Sequence, residues 1–166
     1  MKLWKTIVVC VMSAFAALPA SGGNKSIYLE LLGPSTFAGV WFDVRIAGAR
    51  GLGVGAGFSA VPSQTDDVGR WTAGTWSAGL PLALNYLCSS GPGYLEIGLG
   101  VHNAIMKKED HRLHWGYYCF MNIGYRYQSS GGFVFRVGLS PSWQRSDSHS
   151  IIKRKFYPYL AFGWAF

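Results

Sequence analysis

The chain has 166 residues, 49% of them hydrophobic and 16% aromatic, and a formal net charge of +7. That length allows one domain, since single domains run to roughly 100–200 residues, and three cysteines are too few to require a disulfide framework. The basic balance would suit nucleic acid or an anionic surface, and the first segment of the chain decides between them.

Residues 1–22 read as a secretory signal peptide: Lys2 and Lys5, an apolar run from Ile7 to Leu18, then small residues. The run is shorter than the roughly 20 residues a membrane helix needs. Cleavage fits after Ala20 or Gly22, and Gly22 is preferred because both residues are small at the positions a signal peptidase probes. Cys10 follows Val9 deep in the apolar run, which does not suit a lipoprotein signal. The expected domain is then 23–166. An exported chain meets no nucleic acid, so the expected partner of its basic charge is an anionic membrane surface. Cys88 and Cys119 remain, free or bridged.

Beyond the leader, the chain alternates with period 2. Residues 26–32, 37–47, 51–60, 77–88, 93–103, 115–128, 133–143 and 156–166 read as eight strands. One parity collects Ile27, Leu29, Val40, Phe42, Leu82, Leu84, Ile97, Leu99, Ile123, Val137, Leu139, Phe162 and Trp164, and it carries no charge. The other collects Glu30, Asp43, Arg45, Asn85, Glu96, Arg126 and Arg136 among Tyr28, Trp41 and many glycines. A soluble barrel would have to bury that apolar parity and leave the charges outside. With both faces of a closed sheet occupied, the sensible arrangement is the reverse, apolar side chains toward lipid and polar or tiny ones filling the lumen. The expected fold class is all-β, an eight-stranded antiparallel up-and-down transmembrane β-barrel.

Connection lengths agree. Residues 48–50, 89–92 and 129–132 are tight and rich in Gly and Ser, whereas 61–76, 104–114 and 144–155 are long and polar. Short periplasmic turns opposing long outer loops give this alternation, with both termini periplasmic. GPST at 33–36 is the exception, short where a longer outer loop is expected.

Eight strands enclose only enough room for side chains, so a wide pore is excluded. Turn lengths set Arg126 opposite Arg136 and Asn85 opposite Glu96. Two neighbouring arginines repel, and Glu96 is the natural counter-ion. The expected lumen network therefore joins Asn85, Glu96, Arg126 and Arg136, with Glu30, Asp43 and Arg45 forming another. Glycines 53, 55, 57, 98 and 100 would make room for Trp41, Tyr28, Tyr118 and Phe120.

The last strand, YPYLAFGWAF, carries Tyr159, Phe162, Trp164 and the terminal Phe166. It resembles the assembly signal of bacterial outer-membrane barrels, an alternating aromatic strand ending in Phe that the barrel insertion machinery recognises. The whole of 23–166 resembles the small eight-stranded outer-membrane barrels, a group that includes OmpX-like and OmpA-like barrels and the lipid A enzymes PagP and PagL. LALNYLC, YLEIGLGVHN, IGYRYQ and GGFVFRVGLSP are similar to small barrels of Bacteroidota. The resemblance implies a fold and an outer-membrane address in a Gram-negative bacterium. No peptidoglycan-anchoring domain is expected after Phe166.

No catalytic residues, metal or cofactor are expected. PagL-like enzymes carry a His and a Ser two residues apart, and here His102 is followed at that spacing by Ala104. Asp147, Ser148 and His149 are too close in sequence to orient one another as a triad. His111 and His114, with Glu109 or Asp110, lack a third fixed ligand. The outer loops do carry a basic excess. Lys107, Lys108 and Arg112 on one, and Arg145, Lys153, Arg154 and Lys155 on another, are candidate contacts to lipopolysaccharide phosphates. The expected role is structural or binding, with outer-membrane lipid and lipopolysaccharide as surroundings. An accessory subunit of a larger outer-membrane barrel complex and a lipid A-modifying enzyme are the alternatives.

Overall fold

Alternating segments acquire one apolar and one polar edge, and a closed sheet pairs every backbone N–H and C=O while keeping those edges apart. The computed structural model describes residues 24–48, 50–62, 64–65, 71–72, 75–88, 93–107, 112–144 and 156–166. In chain order its elements are β1 (Lys25–Leu32), a 3-10 turn η1 (Gly33–Ser35), β2 (Ala38–Ala47), β3 (Arg50–Val61), β4 (Gln64–Thr65), β5 (Trp71–Thr72), β6 (Trp76–Cys88), β7 (Gly93–Lys107), β8 (Leu113–Gln128), β9 (Phe133–Trp143) and β10 (Phe156–Ala165). Eight strands close an up-and-down antiparallel barrel, while β4 and β5 form a separate two-stranded pair between β3 and β6. β1 closes the barrel against β10, from Ser26↔Ala165 to Leu32↔Tyr159. Beyond that pairing, Lys25 N–H donates to the Phe166 carbonyl and Phe166 N–H to the Lys25 carbonyl. These ends share one rim, the turn rim, with the short connections after β2 and β8. The longer connections lie at the opposite loop rim.

The strands run within a few residues of the alternation, with three differences. First, β7 and β8 extend to Lys107 and Leu113, which pair with each other, so Lys107 ends a strand instead of lying in a loop. The cause is that alternation continues: His102, Ala104 and Met106 all face inward and are buried. Second, Asn85 sits opposite Gly98, and Glu96 opposite Leu87, not opposite Asn85. The 89–92 connection is effectively longer than its four residues, because the last pair is Cys88↔Leu95. The resulting shift of two residues leaves every face assignment unchanged. Third, the β2–β3 register shifts between Arg45 and Ala47, a bulge beside the turn.

The short GPST segment is explained by where it goes. Instead of arching outward, η1 folds into the barrel mouth, and Gly33, Pro34 and Ser35 are buried. The flanking Leu32 and Thr36 both hold positive φ, at 61° and 63°, a conformation uncommon outside glycine. Leu32 N–H to the Phe37 carbonyl and Thr36 N–H to the Gly33 carbonyl, 2.9 and 3.0 Å, brace the turn.

Candidate functional site: the closed interior

The inward positions of β1, β2, β6, β7, β8 and β9 converge on the barrel axis and bring two groups of charged residues together. The first centres on Asp43. Arg45 grips both of its carboxylate oxygens, Nη2 lying 2.9 Å from each. Arg126 donates from Nη1 at 3.0 Å and Asn85 from Nδ2 at 2.7 Å. Arg126 also reaches Ser26 Oγ at 2.9 Å. The second centres on Arg136, which donates through Nε and Nη2 to the two oxygens of Glu96, both at 2.8 Å, and through Nη1 to Glu30 at 3.4 Å. Its guanidinium also stacks on the Tyr28 and Tyr159 rings, 4.3 and 5.3 Å from their centroids. All six ionic side chains are at most 2% exposed. Their three carboxylates and three guanidinium groups cancel formally, which is the condition under which buried charge is tolerable.

The seven sequence-derived lumen residues are thus all interior, but they divide differently from the expected pair of networks. Arg126 and Arg136 do face each other across β8–β9, yet each turns to a different acid. Asn85 and Arg126 join Asp43 and Arg45, while Glu96 and Arg136 join Glu30. The reason is the barrel's curvature: residues distant in strand order, such as Asp43 on β2 and Arg126 on β8, meet across the axis. A pairing scheme built on adjacent strands cannot show such contacts.

Among these polar groups packs an aromatic cluster of Tyr28, Trp41, Tyr118 and Phe120. Trp41 stacks on Tyr28 at 6.2 Å and meets Phe120 edge-on at 6.4 Å. Gly57 admits the Trp41 indole, since a Cβ there would stand 2.9 Å from it, and Gly100 admits Phe120. Tyr28 instead lies against Gly163. Around these rings a second set of bonds ties η1 down. Trp41 Nε1 donates to both Glu30 and Ser35 Oγ at 3.0 Å, and Ser35 Oγ donates to Glu30 at 2.8 Å. The Tyr118 hydroxyl donates to the Pro34 carbonyl at 2.7 Å.

One contact was not foreseen from the sequence. His102 Nδ1 lies 2.6 Å from the Tyr118 oxygen, and its Nε2 lies 2.9 Å from Ser59 Oγ. Because Tyr118 gives its proton to Pro34, the hydrogen-bond pattern puts the histidine proton on Nδ1 and makes Nε2 the acceptor from Ser59. Serine and histidine stand at the spacing of a nucleophile and its base, but the third partner is a phenol. All three side chains are at most 2% exposed, so Ser59 presents no surface to a substrate. The chain of bonds ends on η1 and holds it. Only a hint of this was legible: Gly79 pairs with Ser59, and its missing side chain leaves the space that His102 Nε2 fills.

Among the other site residues, Tyr159 faces the interior, while Phe162, Trp164 and Phe166 face outward and are exposed. Arg112 is exposed beside the start of β8. Lys108, Arg145, Lys153, Arg154 and Lys155 lie outside the described residues, as do residues 1–22, where a signal peptide is expected, His111 and the Asp147–Ser150 cluster. Cys88 and Cys119 are free. Among the described residues no group of three His, Cys, Asp or Glu could hold a metal ion.

The outer face completes the geometry. Trp76, Leu113, Trp115, Trp143 and Phe156 are exposed near the loop rim, and Tyr86, Tyr125, Phe133, Trp164 and Phe166 toward the turn rim. Between them the outward positions are uncharged and, apart from Asn103, almost wholly apolar, among them Leu29, Val40, Leu84, Leu99 and Leu139, each between 49% and 57% exposed. Fold and interior together define a closed eight-stranded barrel with a charge-balanced, side-chain-filled core and an apolar exterior. No protein-family model matches the chain, and no curated protein does.

Proposed function

We propose that this chain is a bacterial outer-membrane barrel that spans the bilayer with its apolar exterior and serves as a sealed scaffold, not as a pore. The observation that carries the reading is the uncharged outward band framed by aromatic rims around an ionic interior, the reverse of a soluble protein. An isolated exposed leucine means little, but an apolar surface encircling a whole barrel has lipid as its natural solvent. β7 and β8, at 15 and 16 residues, exceed the roughly 9–11 residues a crossing strand needs. Their loop-rim ends then stand clear of the hydrocarbon. Lys107 and Arg112, with Lys108, Arg145, Lys153, Arg154 and Lys155, would meet lipopolysaccharide phosphates there. Residues 1–22 act as the export signal, and the outward aromatics of the last strand serve the insertion machinery.

The interior supports a scaffold over a conduit, since among the described residues every buried carboxylate is held by a guanidinium and η1 fills one mouth. Reconstitution into planar bilayers tests this. A folded, heat-modifiable protein without discrete conductance steps is expected, and steady ion-conducting steps would refute the sealed reading. Pull-down from native outer membranes in mild detergent addresses the partner. Lipopolysaccharide alone fits a barrel that works by itself, whereas a stoichiometric larger barrel would assign the accessory role instead.

A further inference from the structure

β6, β7 and β8 carry their outward side chains past the level where a membrane crossing ends. Counted from the turn-rim ends Cys88, Gly93 and Gln128, a crossing of roughly 11 residues reaches about the row of Leu80, Asn103 and Tyr117. The register sets those three residues side by side. Two further outward rows lie beyond it: Ala78, Ile105 and Trp115, then Trp76, Lys107 and Leu113. Neighbours in a row stand one strand spacing apart, about 4.8 Å, and successive rows about 6–7 Å apart. Polar side chains would be expected at this height, yet Trp76, Leu113 and Trp115 are 40%, 66% and 57% exposed. Trp115 leans on Tyr117, with ring centroids 5.7 Å apart. A contiguous apolar patch of this kind marks a binding surface.

The chemistry of the array selects its occupant. Ala78 and Ile105 make a low floor between the taller rings of Trp76 and Trp115. Along the middle strand Asn103 and Lys107 stand about 13 Å apart, one at each end of that floor. Aromatic faces pack against the C–H faces of sugar rings, an amide both donates and accepts, and an ammonium takes a phosphate. Below the array the apolar band continues through Leu82, Leu84, Leu99 and Val101, which gives attached acyl chains a surface that a soluble sugar phosphate could not use. We propose that this face of β6–β8 seats one molecule of a phosphorylated glycolipid of the outer leaflet. Lys107 holds a phosphate, Trp76 and Trp115 hold the sugar, and Asn103 meets the carbonyls where the acyl chains join it. The seat rests on the outer-membrane reading and sharpens it, since a diffuse basic rim becomes one defined site.

Native mass spectrometry of the refolded barrel in mild detergent tests the seat. The probes are bis-phosphorylated lipid A, the same lipid A dephosphorylated, and phosphatidylglycerol as an anionic lipid without a sugar. One bound bis-phosphorylated lipid A per barrel is expected, with the other two lipids held at least about fivefold more weakly. Lys107→Gln should bring the two forms of lipid A within about twofold of each other, whereas Trp115→Leu should weaken both alike. Arg50→Gln, at an exposed cation of the turn rim, should change neither. Equal retention of all three lipids, uptake of many copies without saturation, or full phosphate preference in Lys107→Gln would overturn the proposal. Insertion into phosphatidylcholine vesicles, read by heat-modifiable gel mobility, separates the two levels. A barrel that inserts but shows no lipid preference overturns the seat alone, and one that fails to insert overturns the outer-membrane reading and the seat with it.

Discussion

Glu96→Gln probes the interior where its energetics are most concentrated. Arg136 donates two 2.8 Å charge-assisted bonds to Glu96 and one longer one, 3.4 Å, to Glu30. Glutamine keeps the shape but removes the charge, and its amide turns a donor toward a guanidinium that only donates. Removing one partner of a buried ion pair costs about 3–5 kcal/mol. Glu30 and the rings of Tyr28 and Tyr159 remain against Arg136, so the loss should fall near the lower end, about 3 kcal/mol. The assay is equilibrium urea unfolding of the barrel refolded in detergent, followed by band shift on unheated gels. Arg136→Met and the double variant complete the cycle, and the double should cost less than the sum of the singles by at least about 1.5 kcal/mol. A Glu96→Gln change below about 0.5 kcal/mol, or strict additivity, would refute the claim that this pair holds the interior.

Other consequences follow from single contacts. Gly100→Ala drives a methyl into Phe120 and the Leu82 carbonyl and should destabilise by about 1–3 kcal/mol. Gly55→Ala, whose Cβ finds Trp41 no nearer than 3.4 Å, should fold nearly as the parent; equal losses in urea would contradict the packing argument. Tyr118→Phe removes the bonds to Pro34 and His102, and amide hydrogen exchange at Leu32 and Thr36 should quicken as η1 loosens. Unchanged exchange there would mean the turn is held without Tyr118. Leu84→Arg, outward at mid-strand, should cost about 2–4 kcal/mol in lipid vesicles if the band lies in hydrocarbon, and little if it does not.

The barrel was legible because its information is local. Period-2 alternation marks strands residue by residue, and the interior or exterior assignment of Glu30, Asp43, Glu96, Arg126 and Arg136 needed only parity. Register was less legible, since Asn85↔Gly98 depends on how the chain reverses after Cys88, and parity is blind to a shift of two. Contacts across the barrel were not legible at all. Asp43 and Arg126 lie 83 positions apart, and only the closed geometry brings them within reach. The GPST turn is short for an outer loop, but nothing local says that it folds inward. Its positive-φ Leu32 and Thr36 are not residue types that advertise a special backbone.

The central claim is that the exterior meets lipid while the interior is closed. A nitroxide scan along β6 in reconstituted vesicles, reading collision with dissolved oxygen against a water-soluble nickel complex, tests it most directly. Labels at Leu82, Leu84 and Tyr86 should collide with oxygen and be shielded from nickel, and labels at Ala83 and Asn85 should be shielded from both. Free access of nickel to the outward positions would place that face in water and contradict the account.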